Sequence, residues 1–478
     1  MTHGESQTVA TDRGPVKGAV EGNAVCFRGI PYAASPIGEL RFAPPQQHPG
    51  WTDVRDAFRS GPSVPQGPSR LERVMGQRVP DWNEDGCLTL NVFRTRRDQD
   101  GVRPVLVWFH GGGFTSGSGG WDWYDGARLA ALGDIVVVTA NYRVGPLGYL
   151  WLPEIGAGNL GPQDQGAVLR WVRDNIAEFG GDPAAVTVGG QSAGAFSAMA
   201  LALDERTSGL VARVLLESGP WGLLPQDPQH AAENAQAYLR ILGVSPGSDT
   251  GKQLRALPVE QLLSAYGQLA TQLGRPGNVA PPMYPVFGGA GVPAAWPQGL
   301  ASGALEGKAL LIGSVRDEAT AFFGFDPRIQ NLTSEGALDL LTEGLGGQAE
   351  EVYQRHAAQR PDATPAQVYT AVQTDAIFRN GAFEIADQHA AGGNTAYVYQ
   401  FDRSPAEDDH ALGATHCSEL PFLFGTFDAY PESPMLGRWG DAERALGRRL
   451  AGAMAQFVAS GSVSDWPDYS TGHVEHFT

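Results

Sequence analysis

The stretch "VTVGGQSAG", residues 186–194, places a serine between two glycines directly after a run rich in β-branched residues. Such a G-x-S-x-G pattern is typical of a sharp strand-to-helix turn that exposes a nucleophilic serine. Because the 478-residue chain contains 63 glycines, chance matches are expected, and a second one, "GVSPG", occupies residues 243–247. The pattern alone therefore does not identify a nucleophile.

The residues around the two serines distinguish them. "AVTV" comes before the first motif, and "AGAFSAMALAL" after Ser192 forms a good helix. Ala193 has a backbone N–H that can point at an oxyanion, whereas Ser245 is followed by proline, which has none. Ser245 also follows the helix-like "YLRILG" and is expected in a turn. We therefore predict Ser192 as the nucleophile, the alternative being a structural turn serine.

Several apolar runs read as buried strands, and helix-like segments separate them. One of these segments, 160–181, has apolar residues at helical spacing and ends at a glycine pair. Strands that alternate with helices predict an α/β fold with a mostly parallel central sheet flanked by helices. The predicted strands are 104–114, 134–143, 184–190, 212–219, 308–314 and 395–402.

Two long regions, roughly 220–300 and 325–390, are mostly helical or irregular. No low-complexity linker flanks them, so we expect large helical insertions and not separate domains. The expectation is a single domain over residues 1–478, with these insertions shaping the gorge that leads to the active site.

Charge and cysteine content exclude several classes of protein. The net charge of −18 makes nucleic acids and anionic membrane surfaces poor partners. The longest apolar runs are far too short to cross a bilayer, and the first residues lack the basic and apolar regions of a secretory signal. Three cysteines fit a reducing compartment better than a disulfide framework. We expect a cytoplasmic protein that is a monomer or a weak homo-oligomer.

A serine nucleophile needs an acid and a base, and these follow it in chain order in this kind of fold. The segment "KALLIGSVRDEAT", residues 308–320, runs into Asp317 and Glu318, and the spacing does not decide between them. Six of the ten histidines follow residue 318, and His416, in "GATHCSELPFLFG", is the best placed of these, since the other five lie in a polar tail, helical patterns or a charge run. A metal site of His416, Cys417 and Glu419 is an alternative, although no further His/Cys cluster completes it.

The glycines of "HGGGF", residues 110–114, follow a predicted strand. Consecutive glycines there expose backbone N–H groups at the carboxyl edge of the sheet, where an oxyanion would form. Together with Ser192 they indicate acyl transfer.

With these motifs in order, the chain resembles the type-B carboxylesterases, which include bacterial para-nitrobenzyl esterases, animal carboxylesterases and cholinesterases. The resemblance covers nearly the whole sequence. It is carried by "FRGIPYAASPIGELRFAPP", "EDGCLTLNVF", "VWFHGGGFTSGS", "NYRVGPLGYL", "GNLGPQDQGAVLRWVRDNIAEFGGDPAAVTVGGQSAGAFS", "GSVRDEAT" and "GATHCSELPFLFG".

This resemblance implies the α/β-hydrolase fold and a carboxylic ester hydrolase that acts on small-molecule esters without metal or cofactor. It assigns the nucleophile to Ser192, the acid to Glu318 and the base to His416. Hydrolysis of amides or carbamates at the same site is the nearer alternative, and a non-catalytic adhesion or scaffold module on this fold is the other. The implied oxyanion donors are Gly112, Gly113 and Ala193, and the implied buried polar network behind His416 contains Ser218 and Glu419.

The resemblance also implies two structural ion pairs, Arg41 with Glu84 and Arg143 with Asp164. Four aromatic residues could line the pocket or belong to the core or rim, and the sequence leaves this open: Trp121, Trp123, Phe287 and Phe322.

Four positions depart from the family pattern. Gln191 replaces a glutamate before the nucleophile, which removes a negative charge and predicts a preference for uncharged esters. Val64 stands where secreted members have a cysteine, so Cys87 is expected to be free. Gly86 is an insertion beside Glu84, and Gly288 replaces an aspartate in a region expected at the outer wall of the pocket.

Overall fold

A large mixed sheet lies at the centre of the molecule. The computed structural model describes residues 5–78, 81–96 and 101–478. Within these residues twelve strands form one sheet in the order β1-β2-β3-β5-β7-β6-β8-β9-β10-β11-β12, with β4 paired to β2. The strands are β1 Ser6–Thr11, β2 Gly14–Glu21, β3 Ala24–Pro31, β4 Arg55–Asp56, β5 Thr89–Thr95, β6 Arg103–Phe109, β7 Val136–Ala140, β8 Gly181–Gln191, β9 Arg213–Glu217, β10 Ala309–Val315, β11 Ala396–Phe401 and β12 Glu475–Phe477.

The strands from β7 across to β12 run parallel to one another. Six of them are the six predicted apolar runs, which confirms the α/β class and the mostly parallel sheet. Strands β1, β2, β3 and β5 pair antiparallel at the other edge. None of these four strands is among the predicted apolar runs: residues of β1 and β2 are largely half-exposed, whereas β3 and β5 are largely buried.

Helices surround the sheet. In the described residues the α-helices are α1 Glu72–Met75, α2 Ala127–Gly133, α3 Gly145–Tyr149, α4 Leu160–Asn175, α5 Ala193–Leu203, α6 Pro228–Leu242, α7 Thr250–Ala256, α8 Val259–Leu273, α9 Trp296–Ala301, α10 Thr320–Phe323, α11 Pro327–Gln330, α12 Ser334–Leu345, α13 Ala349–Ala358, α14 Pro365–Thr374, α15 Asn380–Ala391, α16 Leu420–Phe424 and α17 Asp441–Ser460. The predicted helix 160–181 is α4, which continues as a 3₁₀ turn before Gly180.

Alternate residues of β6 divide the core between the two faces of the sheet. Val105, Val107 and Phe109 belong to the apolar cluster that contains residues of α4 and α5. Leu106 and Trp108 belong to the cluster on the other side, with residues of α2 and α17. This is the layering that a parallel sheet requires, since both faces must be covered. The regions 220–300 and 325–390 hold α6 to α9 and α11 to α15, mostly helical as predicted.

The register of the parallel strands sets the position of the candidate site. Gln191 at the end of β8 is paired with Glu217 at the end of β9, and Glu217 with Gly313 in β10. The residues that follow these strands therefore meet at one edge of the sheet. In open α/β sheets, this carboxyl edge is where ligands bind.

Candidate active site

Ser192 lies on a tight turn between β8 and α5. Its backbone has φ 58° and ψ −125°, a conformation that non-glycine residues rarely adopt. The glycines on either side make this turn possible, because a methyl group at Gly194 would lie 1.9 Å from the carbonyl oxygen of Phe109. A methyl group at Gly190 would lie 2.5 Å from the carbonyl carbon of Gly194. The turn leaves Ser192 at the wall of a narrow pocket.

The other serine lies elsewhere. Ser245 is exposed and follows Gly243, the left-handed residue that ends α6. Its carbonyl accepts a hydrogen bond from the hydroxyl of Thr250. The expectation of a helix stop and turn at this motif is confirmed.

Glu318 and His416 are in contact beneath the surface. Nδ1 of His416 lies 2.5 Å from Oε2 of Glu318, and both side chains are fully buried. The backbone N–H of Val315, the last residue of β10, donates to Oε1 of Glu318. Asp317 instead accepts from the N–H of Ala414 and pairs with a neighbouring arginine. Of the two carboxylates that spacing could not separate, Glu318 is the one that contacts the imidazole.

Aromatic rings hold the imidazole of His416. The ring centroids of Phe322 and Phe378 lie 5.2 Å and 4.9 Å from that of His416. Ser192 and both phenylalanines line one pocket. In the described residues the hydroxyl of Ser192 has no hydrogen-bond partner. Hydrogen bonds between a nucleophile and its base are often long before substrate binds.

Phe378 reaches His416 because the helix changes its winding there. Residues Asp375–Arg379 form a π-helical turn between α14 and α15. Just before this turn, the hydroxyl of Thr374 accepts from the N–H of Ala319, which ties the helix to the Glu318 loop. Such turns occur mostly as single insertions in α-helices and often at functional sites. The sequence analysis missed Phe378, since an aromatic residue in an apolar helix gives no distinguishing signal.

Gly112, Gly113 and Ala193 line the same pocket as Ser192. Among the described residues, the N–H groups of Gly112 and Gly113 have no protein acceptor. Gly112 has φ 116°, and a methyl group on it would lie 2.0 Å from the carbonyl oxygen of Ser116. The loop therefore needs glycine at this position, and among the described residues its two N–H groups are left without an acceptor.

His110 supports the glycine loop from behind. Its ring stacks on Tyr142 with centroids 4.4 Å apart, and its Nδ1 lies 2.7 Å from the carbonyl oxygen of Gly111. Burial lowers the pKa of His110 to about 4, so the ring is neutral at pH 7. In the sequence, His110 is distinguished only as the first residue of the glycine motif.

Ser218 and Glu419, expected in a polar network behind His416, contact each other. The hydroxyl of Ser218 donates to Oε1 of Glu419 across 3.3 Å, and both residues are buried. Burial and then Glu318 raise the pKa of Glu419 to about 7. A third carboxylate, Glu217, accepts no hydrogen bond from any described residue, and burial followed by Glu419 raises its pKa well above the usual value. In the sequence, Glu217 is distinguished only as a charged residue at the end of the apolar run "RVLLE".

Gln191 contacts the imidazole of His416 and does not line the pocket. Its side-chain nitrogen lies 3.3 Å from Nε2 of His416 and 3.3 Å from Sγ of Cys417, and it is fully buried. The expectation that this position sets the charge of the pocket directly is therefore corrected, because its side chain reaches His416 instead.

The structure also contains the two expected ion pairs, the cysteines and the two glycines that depart from the family pattern. Arg143 and Asp164 form a buried ion pair at 2.7 Å, and Arg41 pairs with Glu84 at 2.5 Å. The cysteines, all three of them described, are free and buried. Gly86 and Gly288 both have positive φ.

Of the four aromatic residues left open, Phe322 lines the Ser192 pocket. Trp121 and Trp123 pack against each other, and Trp123 stacks on Tyr430 in the core. Phe287 is exposed.

In the described ranges, no group of three His, Cys, Asp or Glu side chains is arranged to hold a metal ion, including the alternative set around His416. None of the helices in those ranges is long and apolar enough to cross a membrane.

The sequence matches the model of the carboxylesterase family over residues 5–478. It is 36% identical over 469 residues to phenmedipham hydrolase of Pseudarthrobacter oxydans, covering 96% of this chain and 92% of that protein. It is 36% identical over 481 residues to the para-nitrobenzyl esterase of Bacillus subtilis, covering 98% and 93% of the two chains. The solved carboxylesterase of Geobacillus stearothermophilus superposes with a TM-score of 0.85 at 34% identity, covering 98% of this chain and 96% of that one.

Proposed function

The chain belongs to the carboxylesterase family, has the α/β-hydrolase fold and is a carboxylic ester hydrolase, and from this premise we propose that it works through an acyl-enzyme on Ser192. In this proposal His416 is the general base and Glu318 orients the imidazole and stabilises its charged form. The observation that carries it is the contact of 2.5 Å between His416 and Glu318, at the edge of the sheet where Ser192 lines the pocket.

The first step forms an ester between Oγ of Ser192 and the acyl carbon. His416 takes the hydroxyl proton and returns it to the leaving alcohol, whose bond to carbon breaks. Water then attacks the acyl carbon, again giving its proton to His416, and Ser192 leaves as the hydroxyl. The N–H groups of Gly112, Gly113 and Ala193 are the proposed donors to the oxyanion in both steps.

The substrates proposed are small-molecule esters; the expectation of uncharged ones rests on position 191, whose side chain does not line the pocket. Hydrolysis of amides or carbamates at the same site stays an alternative, and turnover of matched ester and anilide substrates separates the two. We propose further that the chain is one domain whose helical regions 220–300 and 325–390 shape the gorge. The cytoplasmic location and the monomeric or weakly oligomeric state stay predictions from the sequence.

Replacement of the nucleophile tests this proposal. Ser192→Ala should lower kcat on p-nitrophenyl butyrate by about 10⁴-fold or more while circular dichroism and thermal unfolding stay unchanged. Ser245→Ala, in the other G-x-S-x-G motif, is the matched control and should retain full activity. Loss of activity in Ser245→Ala, or its retention in Ser192→Ala, would overturn the assignment.

Covalent labelling gives an independent test. Diethyl p-nitrophenyl phosphate should inactivate the enzyme with one equivalent bound, because Ser192 would attack phosphorus as it attacks carbonyl carbon. Peptide mapping should place the adduct on Ser192. EDTA should leave activity unchanged, since the proposed steps need only the three side chains and the N–H donors.

A further inference from the structure

Two neighbouring cavities in the active-site region have basic but no acidic residues among the described residues that line them. The narrow pocket at Ser192 and a larger cavity of about 680 Å³ share Arg70 as a lining residue. No aspartate or glutamate is among the described residues that line either cavity, whereas Arg70 and Arg275 are. The chain as a whole has 52 acidic and 34 basic residues. A lining without acids in so acidic a protein favours negatively charged ligands.

Arg70 lies directly beside the glycine loop. A methyl group at Gly113 would lie 2.7 Å from its Nη2, so the guanidinium packs against the glycine backbone. Its Nη1 donates to the carbonyl oxygen of Val279 across 3.0 Å. In the part of the chain that the structure describes, no carboxylate lies within ion-pair distance of Arg70, although the side chain remains accessible from the cavity.

Arg70 is exposed at the cavity wall, and the protein around it lowers the pKa of its guanidinium. One hydrogen bond to a carbonyl uses one of the five N–H donors of an arginine. The buried hydroxyl of Tyr266 also lines the larger cavity. These donors suit a planar anion that can accept two parallel hydrogen bonds.

We propose that Arg70 binds a carboxylate carried by the ester substrate and so selects half-esters of dicarboxylic acids or esters of carboxylated alcohols and phenols. This inference rests on the proposed function and refines its substrate class. The prediction of uncharged substrates came from position 191, which does not line the pocket. Arg70 does line it, and it lies outside the motifs that carry the family resemblance.

Two matched substrate pairs test the proposal and identify the charged end. The pair with the charge on the acyl side is the mono-4-nitrophenyl ester of glutaric acid against 4-nitrophenyl pentanoate. The pair with the charge on the leaving group is 4-acetoxybenzoate against its methyl ester. The measured quantity is the ratio of kcat/KM for the anionic and neutral members, at about 0.15 M ionic strength to screen long-range charge effects.

In Arg70→Gln the ratio should fall by about tenfold or more for at least one pair, because a charge-assisted bidentate contact is lost. Arg70→Lys should keep an intermediate ratio. Arg240→Gln, which removes the same charge from the exposed face of α6, should leave both ratios as in the wild type. Because each ratio is taken within one variant, a general loss of activity cancels.

Unchanged ratios in Arg70→Gln for both pairs would overturn the proposal. So would an equal loss on anionic and neutral esters, which would mean that Arg70 acts at the shared ester group. The same fall in Arg240→Gln would attribute the effect to net charge and also overturn it.

A binding measurement separates this proposal from the proposed mechanism. Monophenyl glutarate and phenyl pentanoate are titrated calorimetrically into the Ser192→Ala variant, with and without Arg70→Gln. We expect Ser192→Ala to bind monophenyl glutarate more tightly than phenyl pentanoate, and the double variant with Arg70→Gln to lose this difference. That result supports the carboxylate site even if Ser192 proves not to be the nucleophile. Equal affinities in both backgrounds would exclude it even if Ser192 is confirmed.

Discussion

The side-chain nitrogen of Gln191 lies 3.3 Å from Nε2 of His416, while Nδ1 of the same ring contacts Glu318. With the proton of a neutral imidazole held on Nδ1 by the carboxylate, Nε2 is an acceptor and the amide N–H donates to it. Gln191 is therefore placed to affect the base and not the charge of the pocket wall.

Gln191→Glu should move the acidic limb of the kcat/KM–pH profile upward by roughly one pH unit or more. A carboxylate at this distance stabilises the imidazolium, which cannot act as base. Butyrylcholine should gain little over 3,3-dimethylbutyl butyrate, since the side chain does not line the pocket. Gln298→Glu, at an exposed site on α9, adds the same charge and should leave the profile in place; a shift there would contradict the argument.

Glu217→Gln should make the stability of the protein less dependent on pH. Burial raises the pKa of Glu217 and of Glu419, the latter to about 7, so the folded state holds protons that the unfolded chain releases above its ordinary value near 4.5. Stability is then complete at low pH and falls as pH rises towards the raised pKa values. Urea unfolding at pH 5 and pH 8 should show the variant gaining at least about 1 kcal/mol over wild type at the higher pH.

The exposed Glu343→Gln is the control for this measurement and should show no such gain. An equal pH dependence in Glu217→Gln and wild type would mean that Glu217 is not protonated in the folded protein.

Gly194→Ala should lower the free energy of unfolding by about 3 kcal/mol and abolish activity, because the added methyl group meets the carbonyl oxygen of Phe109. Gly267→Ala is the contrasting case, since this glycine lies in α8 with no atom within 4 Å of the added methyl. It should stabilise the protein by about 0.5–1 kcal/mol. Chemical denaturation measures both, and a stable, active Gly194→Ala would refute the crowding at the turn.

Asp164→Asn should destabilise the protein by about 3–5 kcal/mol, because it leaves Arg143 buried without a counter-charge. The side chains of this pair are 2% and 0% exposed. Asp174→Asn breaks an exposed pair with Arg173 and should change stability by no more than about 0.5 kcal/mol. Similar losses in the two variants, measured by urea unfolding, would contradict the role of burial.

The sequence predicts the parallel half of the sheet because strands buried on both faces are continuous apolar runs. It does not predict β1 and β2, whose residues alternate in exposure and whose pairing depends on contacts distant in the chain. Short, partly polar strands give too weak a periodic signal to be recognised without their partners.

At the site, the nucleophile turn is readable because it depends on local residue types: small neighbours, a strand before and a helix after. The choice between Asp317 and Glu318 cannot be made from the sequence. Adjacent side chains on a loop point in different directions, and only the packing of the loop defines these directions. Arg70 and Phe378 come from segments far from the motifs, and the folded chain alone brings them to the pocket. Local chemistry is thus predictable, whereas selectivity depends on long-range packing.

The π-helical turn at Asp375–Arg379 also constrains how this protein can change in evolution. Deleting one residue there would restore regular α-helical winding and rotate all later side chains of α15 by about 100°. Either Phe378 would then leave His416, or Ile385 and Ala386 would leave the core in which they are fully buried. A single insertion can create such a turn. Once the helices on both sides have adapted to it, a single deletion removes the turn only by losing either the contact with His416 or the burial of α15 in the core.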